Sequence, residues 1–140
     1  MKIALIYATM TGHSRKIARA LQETLGVEAV DIKTNPKLES IDLLFVVGGI
    51  YGGTATPELL AYLKQVNSTQ VKKAVLLTSS GGKTAKQSDV RALLNENGIE
   101  VAAEEFTCQG GILFVGIGHP NKTDLQNAVA FAQQWVAQFN

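Results

Sequence analysis

Residues 2–14 read KIALIYATMTGHS, and this stretch decides the architecture. Lys2 to Tyr7 is a nearly continuous apolar run. A strand with one wet face would alternate apolar and polar residues; this one predicts a strand buried on both faces, the mark of a parallel sheet. The loop ATMTGH follows at once, and from Ser14 to Leu25 the period changes. Ile17, Ala18, Leu21 and Leu25 recur as one apolar stripe of a helix, and Gly26 stands where a helix ends. Strand, short polar loop and helix in immediate succession form the first half of a βαβ unit.

The remainder repeats the alternation. Residues 27–32 (VEAVDI) predict a short strand, followed by a polar link with Pro36 that is too short for a full helix. Residues 41–47 (IDLLFVV) form the most apolar strand, which Gly48 and Gly49 are expected to close. Thr56-Pro57 starts a helix, because threonine caps and proline at the first position gives up no needed N–H. Leu59, Leu60, Leu63 and Val66 are its buried stripe. Residues 71–78 (VKKAVLLT) predict a strand, residues 85–97 a helix stopped by Gly98, and residues 99–107 (IEVAAEEFT) a fifth strand. A last helix opens at Thr123 with a T-x-x-Q capping box ending at Gln126, and buries Leu125, Ala128, Val129, Ala132, Trp135, Val136 and Phe139. Parallel strands joined by such crossovers imply a sheet covered by helices on both faces. At 140 residues, one domain over residues 1–140 is expected.

Composition narrows the function. The net charge is +1 with 13 basic and 12 acidic residues, so no single-sign field points to nucleic acid or an anionic membrane. The only local cationic cluster is Arg15, Lys16 and Arg19. No apolar stretch is long enough to span a bilayer. The N-terminus lacks the apolar core and cleavage site of a secretory signal. Cys108 is the sole cysteine, which rules out an internal disulfide and suits a reducing, cytoplasmic compartment.

In open α/β sheets a ligand sits beyond the carboxyl ends of the strands. Four loops lie there: ATMTGHS (8–14), GGIYGGTAT (48–56), SSGGKT (79–84) and CQGGILFVGIGHPN (108–121). Glycine concentrates in them, which permits close backbone approach to a ligand. In the first loop Thr9, Thr11 and Ser14 surround Gly12 just before a helix N-terminus. Free N–H groups and hydroxyl donors there suit a phosphate monoester. Plain helix capping by one hydroxyl explains part of the pattern equally well. Arg15 and Lys16 in the first turn oppose the helix dipole unless an anion is bound. The G-x-x-x-x-G-K-[ST] nucleotide loop is absent, and Gly116 to Asn121 (GIGHPN) lacks the last glycine of G-x-G-x-x-G. A pyrophosphate site is therefore not expected.

Thr9-Met10-Thr11-Gly12-His13-Ser14 resembles the flavodoxin phosphate loop, T-x-T-G-x-T, with serine for the last threonine. Gly48-Gly49-Ile50-Tyr51-Gly52-Gly53 resembles the family's second flavin loop, where an aromatic packs on the ring. The resemblance covers the whole chain. It implies a flavodoxin-like three-layer α/β/α sandwich with a five-stranded parallel sheet in the order 2-1-3-4-5. It also implies FMN as cofactor. Thr9, Met10, Thr11, Gly12, His13 and Ser14 would hold the phosphate. Ile50, Tyr51 and Gly52 would flank the ring, and Ser79, Ser80, Gly81 and Gly82 would form the third loop. An uninterrupted fifth strand resembles the short-chain branch. The chain departs from the family in three ways. The second loop has no Trp, the third has no aromatic but Lys83 nearby, and the protein is not acidic.

Other residues are expected to be structural. Tyr7 and Cys108 suit the core, His119 a turn, and the apolar run Ile112–Ile117 a cover over the core or a docking patch. Two histidines without a carboxylate cluster predict no metal site. The implied activity is electron transfer through FMN between redox partner proteins, with no catalytic acid, base or nucleophile required. An FMN-dependent oxidoreductase acting on a quinone, and a regulatory or interaction module without flavin, are the competing functions. A receiver domain is disfavoured, because the first strand ends in Tyr7 without an acidic pair.

Overall fold

The computed structural model describes residues 1–51, 53–81, 86–110 and 118–139. Strand β1 (Ile3–Tyr7) leads through Thr9–Gly12 into helix α1 (His13–Leu25). Strand β2 (Ala29–Asp31) is followed by a 3-10 turn at Ile32–Thr34, where Asp31 caps the Lys33 N–H at 3.0 Å. That single turn occupies the link too short for a helix. Next come β3 (Ile41–Ile50), α2 (Pro57–Leu63), β4 (Val71–Ser80), α3 (Ser88–Glu96), β5 (Glu100–Val101), β6 (Phe106–Gln109) and α4 (Lys122–Phe139). All strand pairings of the sheet are parallel, and the order is β2-β1-β3-β4-β5, with β6 also on β4. The expected 2-1-3-4-5 sheet and α/β/α layering are therefore observed.

Each face of the sheet has its own core. On one, Ile6, Leu44, Val46, Ala74 and Leu76 meet α2 and α3 through Leu59, Leu63, Val90 and Leu94. On the other, Leu5, Phe45, Val47, Val75 and Leu77 meet α1 and α4 through Ile17, Leu21, Ala128 and Ala132. Leu43, Leu44, Phe45, Val46 and Val47 are all fully buried, as the unbroken apolar run requires.

Three local expectations are corrected. First, β3 does not close at Gly48: it continues to Ile50, and Gly48, Gly49 and Ile50 pair with Thr78, Ser79 and Ser80. The glycines answer close packing rather than a chain turn. A Cβ on Gly48 would lie 3.0 Å from Gln87 Oε1, and one on Gly49 would lie 2.5 Å from Tyr51 Oη. Second, the fifth strand is interrupted. Between the Ala74–Val101 and Leu77–Phe106 pairs, β4 advances three residues and its partner five. An excess of two keeps the facing of side chains. It also lets the Glu105 side chain, 3% exposed, turn to Arg91 Nε and Nη2 at 3.0 and 2.9 Å. The uninterrupted fifth strand is thus replaced by two short ones. Third, the capping box of α4 belongs to Asn121 and Asp124, not Thr123 and Gln126. Asn121 Oδ1 accepts the Asp124 N–H at 2.9 Å, and Asp124 Oδ2 accepts the Asn121 N–H at 2.8 Å.

Tyr7 and Cys108 are buried, at 8% and 4% exposure. Burial, with the Asp124 carboxylate as second cause, pushes the Cys108 thiol up to about 12. The fold therefore favours the protonated thiol. Between about pH 9 and 12 the unfolded chain has lost this proton and the folded chain keeps it. Stability should fall there by up to about 1.4 kcal/mol per pH unit. Denaturant midpoints from pH 8 to 11 should drop less steeply in Cys108→Ala; parallel profiles would refute the burial argument.

Candidate functional site

The carboxyl ends of β1, β3, β4 and β6 share one edge of the sheet, and the N-termini of α1, α2, α3 and α4 return to it. The first loop is built around Gly12. Its φ of +88° is a left-handed conformation that glycine adopts without strain. This brings the Gly12 N–H back to Thr9 Oγ1 at 2.7 Å. Gly12 is itself the cap residue of α1, and among the described residues no side chain caps that helix. Its first turn holds no acidic residue, while Arg15 and Lys16 both fall there. The partial positive charge of the helix end is thus left unanswered from within the helix.

The hydroxyls divide the labour. Thr9 folds the loop, as just described. Thr11 is exposed at the tip beside Met10, which is 69% exposed. Ser14 is fully buried, and its Oγ lies 3.4 Å from Ser79 Oγ, joining α1 to the end of β4. His13 packs against Gly110, where a Cβ would lie 2.9 Å from the ring. Lys16 Nζ donates to the Pro120 carbonyl at 3.2 Å, tying the segment before α4 to the first loop's helix. The two structural cations of the first turn thus differ: Lys16 anchors chain, and Arg15 lies half-buried beside it.

Ile50 is the last residue of β3 and is buried, while Tyr51 is held by a reciprocal pair with Thr54 (N to O 2.8 and 3.3 Å). The tyrosine ring lies against Gly49, and its Oη accepts the Met10 N–H at 3.4 Å. The first and second loops therefore touch through Tyr51. Ser79 and Ser80 complete β4 and are buried at 3% and 6%, and Gly81 follows them, accepting at its carbonyl from Gln109 Nε2 at 3.4 Å. Gly52, Gly82 and Lys83 lie outside the described residues, as does the apolar run Ile112–Ile117. Among the other sequence-derived site residues, the structure brings the first, second and third loops to one edge. His119 is more than a turn residue, because its Nδ1 sits 2.6 Å from Asp124 Oδ2. Among the described residues no group of His, Cys, Asp and Glu could hold a metal ion, and no helix is long and apolar enough to cross a membrane.

A cavity of about 350 Å³ adjoins the first loop, walled by residues 8–10, 31–33 and 56–58. Asp31, Ile32 and Lys33 carried no ligand signal in the sequence. Only the order 2-1-3 places the end of β2 beside the first loop, and that adjacency was the available clue.

The flavodoxin domain model matches residues 4–125. The chain belongs to the flavodoxin domain family. An uncharacterized protein of Methanocaldococcus jannaschii is 30% identical over 95% of this chain and 97% of its own length. A coenzyme F420H2 oxidase of Methanothermobacter marburgensis is 31% identical over 74% of this chain, which matches only 30% of that longer protein. Among solved structures, a short-chain flavodoxin associated with a bacterial microcompartment superposes with a TM-score of 0.73. It is 19% identical, and all of both chains is covered. At that identity the likeness is one of fold. The fifth strand of this flavodoxin-domain chain, broken after Val101, carries no inserted subdomain between its two halves, which are separated by residues 102–105.

Proposed function

We propose that this flavodoxin-domain protein holds one FMN non-covalently and carries electrons between redox partner proteins, acting as a single domain over residues 1–140. The observation that carries the reading is the first loop: a glycine-capped helix start with no side-chain cap, no acid in its first turn and two cations there. That donor set suits a phosphate monoester. Thr9, Met10, Thr11, Gly12, His13 and Ser14 would hold the phosphate. Ile50, Tyr51 and Gly52, with Ser79, Ser80, Gly81 and Gly82, would flank the ring. FMN would supply reversible one- and two-electron chemistry, while these residues bind and orient it. The partial match to an oxidase supports a redox role, and a single buried cysteine suits a reducing cytoplasm.

The near-neutral charge favours a second reading, an FMN-dependent oxidoreductase acting on a quinone or similar acceptor. An acidic environment opposes the negative charge that reduction adds to the flavin. Here the net charge is +1, and Arg15 and Lys16 stand at the ligand edge. A unit charge about 10 Å away, at an effective dielectric of about 20 and at physiological salt, is worth roughly half a kcal/mol, or a few tens of millivolts. The second one-electron couple of bound FMN should therefore be less negative than in an acidic short-chain flavodoxin, and partner association should vary weakly with salt.

The test is titration with FMN followed by spectroelectrochemistry beside an acidic flavodoxin in one buffer. Stoichiometric binding with a higher second couple supports the reading. A protein that stays colourless in excess FMN is instead the flavin-free interaction module. Steady turnover with a quinone selects the oxidoreductase.

A further inference from the structure

We infer that the Tyr51 hydroxyl is an internal occupant of the first loop's anion position, displaced when a phosphate arrives. This rests on the reading of that loop as a phosphate cup. The backbone of Tyr51 is fixed by its paired bonds to Thr54, so the side chain leaves from a defined strand end. From there the ring folds back over Gly49. A Cβ on Gly49 would meet Oη at 2.5 Å, Cζ at 2.6 Å and Cε2 at 2.7 Å, so a side chain there would drive the ring out. The folded ring brings Oη to the Met10 N–H at 3.4 Å, in hydrogen-bonding alignment. That N–H belongs to the loop that has its own cap, Gly12, but no capping side chain. Oη thus stands where an acceptor oxygen of a bound phosphate would be received.

The two acceptors are unequal. A phenol oxygen at 3.4 Å is a neutral, long acceptor. A phosphate oxygen is charged, and charge-assisted bonds are shorter and about twice as strong. Phosphate therefore takes the Met10 N–H and releases the ring. An uncharged ligand has no oxygen of comparable strength to offer and leaves Tyr51 in place. The released ring becomes free to lie beside a flavin, so one side chain serves the empty and the filled cup in turn. Three roles for Tyr51 then differ in sign when only its hydroxyl is removed. A competitor's loss tightens phosphate, a phosphate ligand's loss weakens it, and the loss of a hydroxyl from a purely stacking ring changes nothing.

The experiment is a titration of the ¹⁵N-labelled protein with inorganic phosphate, followed at the Met10 amide by NMR, with FMN affinity measured by calorimetry. Wild type, Tyr51→Phe and Tyr51→Ala are compared. Tyr51→Phe keeps the ring and removes the acceptor. It should bind phosphate roughly two- to tenfold more tightly, the range expected for one neutral hydrogen bond. Its Met10 amide should also be shifted before any phosphate is added. Tyr51→Ala should show the same gain for phosphate and yet bind FMN no better than Tyr51→Phe, because the ring is gone. Unchanged or weaker phosphate binding in Tyr51→Phe overturns the inference while leaving FMN binding intact. Absence of phosphate and FMN binding in all three proteins overturns the cup itself, and the inference with it.

Discussion

FMN should bind this protein at least a hundredfold more tightly than riboflavin. The two ligands differ only in the phosphate, so the ratio reads the phosphate site, including the displacement of the Tyr51 hydroxyl from the Met10 N–H. A hydrogen bond to a charged group contributes roughly 1.5–3 kcal/mol, and two such bonds already give about a hundredfold to ten-thousandfold or more. The loop offers backbone donors at a helix start without a capping side chain, and the exposed hydroxyl of Thr11 at its tip. Thr11→Ala should cost FMN about tenfold to hundredfold and leave riboflavin nearly unchanged. Thr9 folds the loop by accepting the Gly12 N–H at 2.7 Å, whereas Thr11 is exposed at its tip, so the Thr11 substitution should not disturb stability. Titration calorimetry with both flavins decides the matter. Equal affinities would remove the phosphate cup, and an equal loss of both ligands in Thr11→Ala would mean a distorted loop rather than a missing donor.

What was legible in the sequence followed from strong local signals. The apolar runs at residues 2–7 and 41–47 hold the buried strands β1 and β3, because only a doubly covered sheet can hide such runs. The helix stripes of α1 and α2 appear as read. Thr56 caps α2 as expected, accepting the Leu59 N–H at 3.3 Å. The errors share one cause, which is that tertiary contacts override local grammar. Gly48 and Gly49 looked like a strand end, yet they are glycines because Gln87 and Leu59 crowd Gly48 from other segments and the ring of Tyr51, just past the strand, folds back on Gly49. Thr123 and Gln126 satisfied a capping pattern, but Asn121 and Asp124 satisfy it two residues earlier, with His119 held on the same carboxylate. At the site, the glycine and hydroxyl pattern of the first loop was readable. That Ser14 turns inward to Ser79, or that Tyr51 reaches back to Met10, was not, because each joins residues more than 40 positions apart.

The break in the fifth strand carries the second large expectation: Glu105→Gln should destabilise the protein by about 2–4 kcal/mol. In the fold the Glu105 carboxylate is almost wholly buried and works on three sides. Oε2 accepts from Arg91 Nε and Nη2, and Oε1 accepts the Gln87 N–H at 3.1 Å. Arg91 Nη2 also donates to the Ala102 carbonyl at 2.7 Å, inside the break itself. Glutamine keeps the size and removes the charge, leaving a guanidinium that is 27% exposed without its counter-ion. Breaking one side of a buried pair costs roughly 3–5 kcal/mol, and the partial exposure of Arg91 lowers that figure. Replacing both partners, Arg91→Met with Glu105→Leu, should recover much of the loss, since two buried charges are then removed together. The double-mutant cycle, from urea midpoints at pH 7, isolates the pair. Gln87 opens α3 directly after the third loop, and its Nε2 is bonded to the Leu77 carbonyl at 2.9 Å and Thr78 Oγ1 at 3.1 Å. Loosening Glu105 should therefore reach the end of β4 as well. Measured well below the unfolding midpoint, the affinity of the folded Glu105→Gln protein for both FMN and riboflavin should fall, because the third loop would flank the ring that the two share. If stability drops while binding of both flavins by the remaining folded protein is unchanged, Glu105 secures α3 without setting the third loop.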